Sequence, residues 1–145
     1  MKAMITLPAE ILYVRFASIT AWMLAEIFAE SLNAKESAAE FCHAFELSVS
    51  EAFTNAVSYA EPPEAEKKIT ITFSSQSNQL TVSVSDTNAP FKLDTPAPDI
   101  SSYPEKGFGL FLIRQLMDTV SYSRQENINL ISMTKRHSIP SSGNT

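Results

Sequence analysis

Residues 46–59 read Glu-Leu-Ser-Val-Ser-Glu-Ala-Phe-Thr-Asn-Ala-Val-Ser-Tyr, and no Gly or Pro interrupts them before Pro62 and Pro63. That stretch reads as helix, and it fixes much else. Phe41, Phe45, Val49, Ala52 and Ala56 recur at spacings of three and four, the signature of a core-facing stripe. Glu51 and Asn55 are four residues apart, so they share one face a turn apart, beside that stripe. A carboxylate and a carboxamide at the margin of a buried face suit Mg2+. Hard oxygens hold the ion or its waters, and a free carboxylate can take a proton. The plainer alternative is two solvated residues on an amphipathic helix.

Two later stretches bear on that choice. Val82-Ser83-Val84-Ser85-Asp86-Thr87-Asn88 ends an alternating strand on an acid. Lys106-Gly107-Phe108-Gly109-Leu110 sets a Gly-x-Gly at the start of a helix, in a chain with only three glycines. Glycine lets backbone N–H groups approach a phosphate, and a helix N-terminus adds partial positive charge. Lys106 can add a full one.

Taken in order, Glu-x-x-x-Asn, strand-Asp and Gly-x-Gly-helix, the chain resembles the histidine-kinase-like (GHKL) ATPase superfamily. Within it, the Ser50-Glu51-Ala52-x-x-Asn55-Ala56 box and the ending Leu116-Met117-Asp118-x-Val120-x-Tyr122 resemble the anti-sigma-factor serine kinases. The likeness runs over roughly residues 4–136. It implies the Bergerat-type ATPase fold and phosphoryl transfer from ATP with Mg2+. It implies Asn55 as metal and nucleotide ligand, Glu51 as the base that takes a serine proton, and Asp86 as acceptor for the adenine amino group. Lys106, Gly107 and Gly109 would hold the phosphates, and Thr134 would lie near the adenine. Tyr59 stands where many members carry His. The family continues its aspartate as Asp-x-Gly-x-Gly; here Asn88, which tolerates positive φ, and Pro90 replace the glycines. The implied partners are an anti-anti-sigma (STAS-like) protein bearing the target serine, a sigma factor as sequestered client, and a second copy of the chain as homodimer.

The rest of the chain fits one domain, 1–136, with a polar tail at 137–145. At 145 residues it can build one core. A net charge of −5 leaves no basic footprint for nucleic acid. The apolar region 19–29 is punctuated by Glu26 and Glu30, so no membrane span is expected and a cytoplasmic protein is. The single Cys42 excludes an internal disulfide and reads as a small buried thiol.

A short strand at 4–7 precedes a long helix at 9–33. On that helix Leu12, Phe16, Ile19, Met23 and Ile27 form the expected core stripe, widened by Ile11 and Trp22; Arg15 lies off it. Ser37-Ala38-Ala39-Glu40 fits a capping box opening the second helix. Two hairpins follow, 68–73 with 80–85 and 119–124 with 128–135. Between them come a Pro-containing loop at 86–106, read as an active-site lid, and a third helix over 107–118. The expected fold is α+β, a two-layer α/β sandwich with a mainly antiparallel, mixed sheet and three helices on one face.

Two other functions compete with the kinase. A partner-binding module of the same fold with weak or no ATP turnover would explain Asn88 and Pro90; an intact Glu51 favours the kinase. A detached histidine-kinase catalytic domain would need a His followed by an acid, and His43 is followed by Ala44.

Overall fold

The structure, a computed structural model, describes residues 1–58, 67–87 and 107–138 (for residues 35 and 107–109, the backbone alone). Strands β1 (Lys2–Pro8), β2 (Lys68–Gln76), β3 (Gln79–Asp86), β4 (Thr119–Gln125) and β5 (Ile128–Arg136) form one sheet in the order β1-β2-β3-β5-β4. Every pairing in it is antiparallel, so the expected mixed character does not appear. Helices α1 (Val14–Ser31), α2 (Ala39–Ser58) and α3 (Gly107–Leu116) make the second layer. The α+β two-layer expectation is met.

Each strand alternates because one side of the sheet is covered and the other is not. Ile69, Ile71, Phe73, Leu80, Val82, Val84, Ile131 and Met133 point inward and are buried. The outward positions of the three central strands are mostly hydroxyls, joined across strands: Thr6 to Thr70 at 3.0 Å, Thr81 to Thr134 at 2.8 Å, Ser83 to Ser132 at 2.8 Å. Both hairpins close in two residues. Glu126 and Asn127 both take positive φ (51° and 68°), as a type I′ turn requires.

Helix α2 lies across the sheet, and its stripe is buried as expected: Phe41, Phe45, Val49, Ala52 and Ala56, joined by Phe53. Its first turn differs from expectation. Residues Lys35–Ser37 form a 3-10 turn, and the Ser37 hydroxyl donates back to Ala34 O (3.4 Å) instead of capping α2. The first α2 bond runs from Cys42 N–H to Ala38 O, 2.8 Å. The capping box is absent because the preceding turn has already claimed the serine. Cys42 is a buried thiol, as expected; burial, aided by the Glu26 carboxylate, pushes it up to about 11, so it stays protonated at neutral pH.

Helix α1 reverses the sequence expectation. Its stripe Phe16, Ile19, Met23 and Ile27, continued by Leu12 from the 3-10 turn Ile11–Tyr13 that precedes α1 where helix was expected from residue 9, is exposed, at 41–77% of each residue's surface. Ala17, Ala21, Ala25, Phe28 and Ala29 are the buried side and pack on α2. Small side chains let two helix axes approach closely, so alanine, not the bulkier stripe, meets α2. By length and composition Ile11–Ser31 is also sufficient to cross a bilayer, although its alanine face is spent on α2. The helix ends in a Schellman turn, Asn33 at positive φ (57°), with Ala34 N–H to Ala29 O (2.9 Å) and Asn33 N–H to Glu30 O (3.0 Å).

The packing continues past β5. His137, expected in the tail, is buried: its ring lies 4.5 Å from that of Phe41 and bonds Ala34 O at 3.2 Å. Asn78, in the β2–β3 turn, bonds it on both sides, accepting from His137 N–H (2.9 Å) and donating to His137 O (3.1 Å). Residues 139–145 lie outside the described residues.

Among the described residues, one buried side-chain polar atom stands alone: Ser48 Oγ, on α2, is fully buried and has no hydrogen-bond partner among them. An unpaired buried hydroxyl costs free energy, so Ser48→Ala is expected to stabilise the fold by about 1 kcal/mol. Urea unfolding measures it; a lower midpoint would mean that the hydroxyl is paired in solution.

Candidate functional site

Helix α2 brings its C-terminal half over the ends of β3, β5 and β4. There Ala52 and Ala56 from α2, Val84 and Asp86 from β3, Asn129 and Ile131 from β5 and Tyr122 from β4 line a cleft. The register explains the grouping. Asp86 is paired with Asn129 and Tyr122 with Ile131, and all four side chains fall in the inward phase of their strands. The space those walls enclose is about 10 Å³, room for roughly one water.

The polar groups in this cleft are tied together. Asn129 Nδ2 donates to Asp86 Oδ1 at 2.9 Å. The Asn129 Oδ1 accepts from the Tyr122 hydroxyl at 2.7 Å and from Arg124 Nη1 at 2.8 Å. Arg124 Nη2 also reaches Asn127 Oδ1, at 3.3 Å, in the β4–β5 turn. Asn55 is buried on α2 (2% exposed) between the cleft alanines, and Glu51, one turn earlier, is half-buried. The helix thus holds an acid in contact with water and an amide that is not.

Of the residues singled out in the sequence, the structure brings Asp86 to the cleft and sets Asn55 and Glu51 on the helix that roofs it. It does not bring Thr134 there. Thr134 lies five residues from Asn129 along β5, in the outward phase, with its hydroxyl on Thr81 and its carbonyl accepting from Asp118 N–H (2.9 Å). An odd number of strand residues turns a side chain to the other face, so Thr134 belongs to the hydroxyl surface and not to the cleft. The backbone of Gly107 and Gly109 forms the first turn of α3, as expected. Tyr59, Asn88, Pro90 and Lys106, and the expected lid over 86–106 from Asn88 onward, lie outside the described residues.

Sequence reasoning missed Asn129, Tyr122 and Arg124. A signal was present: Asn129 stands two residues before Ile131 and four before Met133, a carboxamide in the apolar phase of a strand.

The residues present fit a Mg·nucleotide. Among the described residues no three His, Cys, Asp or Glu side chains converge, so those residues alone form no cation cage. Mg2+ is ordinarily held by one or two side chains together with phosphates and waters, and Asn55 and Glu51 supply hard oxygens for that role.

The fold and cleft define a class. The chain belongs to the histidine kinase-like ATPase domain family, which matches residues 17–135. Among its relatives are proteins named serine-protein kinase RsbW. That of Listeria innocua is 36% identical over 98 residues, covering 61% of this chain and 62% of the relative. That of Bacillus mycoides is 31% identical over 110 residues, 68% of each. The chain thus spans about three-fifths of the length of the Listeria protein.

Proposed function

We propose that the protein is an ATP-binding anti-sigma-factor serine kinase. It phosphorylates a serine of a STAS-like anti-anti-sigma partner and sequesters a sigma factor in the cytoplasm. The observation that carries this reading is the placement of Glu51 and Asn55 on the helix that roofs the Asp86 cleft, in a chain of this ATPase family that resembles serine-protein kinases.

In this reading the adenine enters beside Ala52 and Ala56, widening the cleft, and its amino group donates to Asp86. The alanines matter because a flat ring needs close approach to the helix. Mg2+, when bound, neutralises and orients the ATP phosphates. The Asn55 carboxamide oxygen holds it, and the backbone N–H groups at Gly107 and Gly109 face the phosphate oxygens, with Lys106 adding charge. Helix α3 has ten residues and is about 15 Å long. Its C-terminal end is fixed at the far end of the sheet by Lys135 Nζ donating to Leu116 O (2.8 Å). Glu51, in contact with water, accepts the proton of the attacking serine hydroxyl. The new bond joins serine oxygen to the γ-phosphorus, the bond to the β-phosphate oxygen breaks, and ADP leaves. Positioning and charge neutralisation supply most of such catalysis.

The exposed α1 stripe supports a homodimer. Contiguous exposed apolar surface marks an interaction site, and the pattern is close to its own reverse. An antiparallel second copy of α1 centred between Ile19 and Thr20 sets Phe16 against Met23, and Leu12 of the turn before α1 against Ile27.

Titration calorimetry with ATP, with and without Mg2+, tests the nucleotide site. Binding that needs Mg2+ is expected. No binding at millimolar Mg·ATP would move the assignment to a partner-binding module of the same fold.

A further inference from the structure

The carboxamide of Asn129 is buried (2% exposed) in a phase of β5 that otherwise carries Ile131 and Met133. A buried amide is tolerated only if its donors and acceptors are met. Here the partners also fix which way it points. A guanidinium donates and never accepts, so the amide end facing Arg124 is the oxygen. Tyr122 donates to the same oxygen, which fills both of its lone pairs. The nitrogen is thereby turned to Asp86, and it can only donate there. Arg124 is in turn steadied by Asn127 from the type I′ turn. The donors run in one direction across three strands: Arg124 and Tyr122 on β4, Asn129 on β5, Asp86 on β3.

Asp86, as a carboxylate, is an acceptor on its own, and the bond from the locked amide fixes where that acceptor points. A carboxylate accepts several hydrogen bonds at once, so the bond from Asn129 is compatible with a second one from a ligand amino group. A ligand that offers a carbonyl at the same point meets two acceptors facing each other.

We propose that Asn129, oriented by Tyr122 and Arg124, is the positioning residue that fixes the Asp86 carboxylate where it accepts from a base and so sharpens a preference for a 6-aminopurine over a 6-oxopurine. This rests on the reading that Asp86 meets the base of a bound nucleotide.

The experiment is a comparison of ATP and GTP affinities, each with Mg2+, by calorimetry on the full chain. Wild type is expected to prefer ATP, and Asp86→Asn to lose that preference. Asn129→Asp keeps the size and the acceptor toward Tyr122 and Arg124 but removes the donor. It is expected to lower the ATP-over-GTP ratio by roughly ten- to a hundred-fold, the worth of one charge-assisted hydrogen bond. Tyr122→Phe leaves Asp86 and Asn129 in place and releases one constraint on the amide; a reduction of about threefold is expected. It decides the matter should Asn129→Asp not fold. The exchanged pair, Asp86→Asn with Asn129→Asp, restores a donor and an acceptor in reverse. Its melting temperature should return toward wild type while the preference for ATP does not; recovery of both would show that Asn129 is only structural and overturn the proposal. Loss of preference in Asp86→Asn with none in Asn129→Asp or Tyr122→Phe would overturn the proposal alone. Equal ATP and GTP affinity in wild type would overturn the Asp86 reading and the proposal with it.

Discussion

Glu51→Gln should bind Mg·ATP much as wild type does and transfer phosphate roughly 10²–10⁴-fold more slowly, the usual worth of a general base. The expectation comes from where the two polar residues of α2 sit. Glu51 is half-buried and meets water, as a group that collects a proton from an incoming hydroxyl must. Asn55 is buried, one turn closer to the cleft end of the helix. Glutamine keeps the shape of Glu51 and its capacity to accept a hydrogen bond, but it cannot take up the proton. Asn55→Ala should behave differently and lose nucleotide binding and transfer together, because it removes a group assigned to the metal. The assay uses radiolabelled ATP, a STAS-like protein from the same genome, and both variants beside wild type. Transfer by Glu51→Gln at the wild-type rate would remove Glu51 as the base. A wild type that binds such a partner tightly and transfers nothing would end the kinase reading.

The second large effect concerns association. Phe16→Glu should convert a dimer into a monomer at micromolar concentration, weakening association by at least about a hundredfold. A charge at the centre of an apolar contact is desolvated without a partner, and in an interface that costs several kcal/mol. Phe16 is more than half exposed in the single chain, so the substitution should leave the fold intact. Sedimentation equilibrium reads the mass and circular dichroism the fold. A monomeric wild type at tens of micromolar would refute the α1 pairing.

That prediction arises where sequence reasoning failed, and the failure is instructive. Periodicity shows that a helix has an apolar face. On α1 two apolar faces share the same period: the large residues from Leu12 to Ile27, and the alanines with Phe28. Size suggests the first as core, since larger side chains release more free energy on burial. Geometry selects the second, since α2 is reached across alanines. Nothing local distinguishes them; the partner helix decides. On α2 there was no second apolar face to compete, and its stripe was legible from Phe41 to Ala56. The strands were legible for a similar reason: a sheet covered on one side prints its alternation into the chain. Asp86 was legible as a strand-end acid, but its attachment to Asn129 depends on a register between strands 43 residues apart. Thr134 was misplaced through the same blindness to phase, because one residue of offset moves a side chain through the sheet.

The sheet order also dictates a sequence of assembly. The hairpins β2–β3 and β4–β5 close through two-residue turns and need no other element. Strand β1 pairs only with β2, Lys2 opposite Ser74, with both long helices intervening in the chain. Closing a loop of that length carries an entropic cost that only an existing surface can offset. Strand β1 therefore docks late, on a sheet edge that α1 and α2 have already roofed. The amino-terminal ammonium group completes it by donating to Ser75 Oγ at 3.0 Å. A strand made before either helix becomes native after both, and the nascent chain carries the two-faced α1 helix unroofed until β2 has emerged.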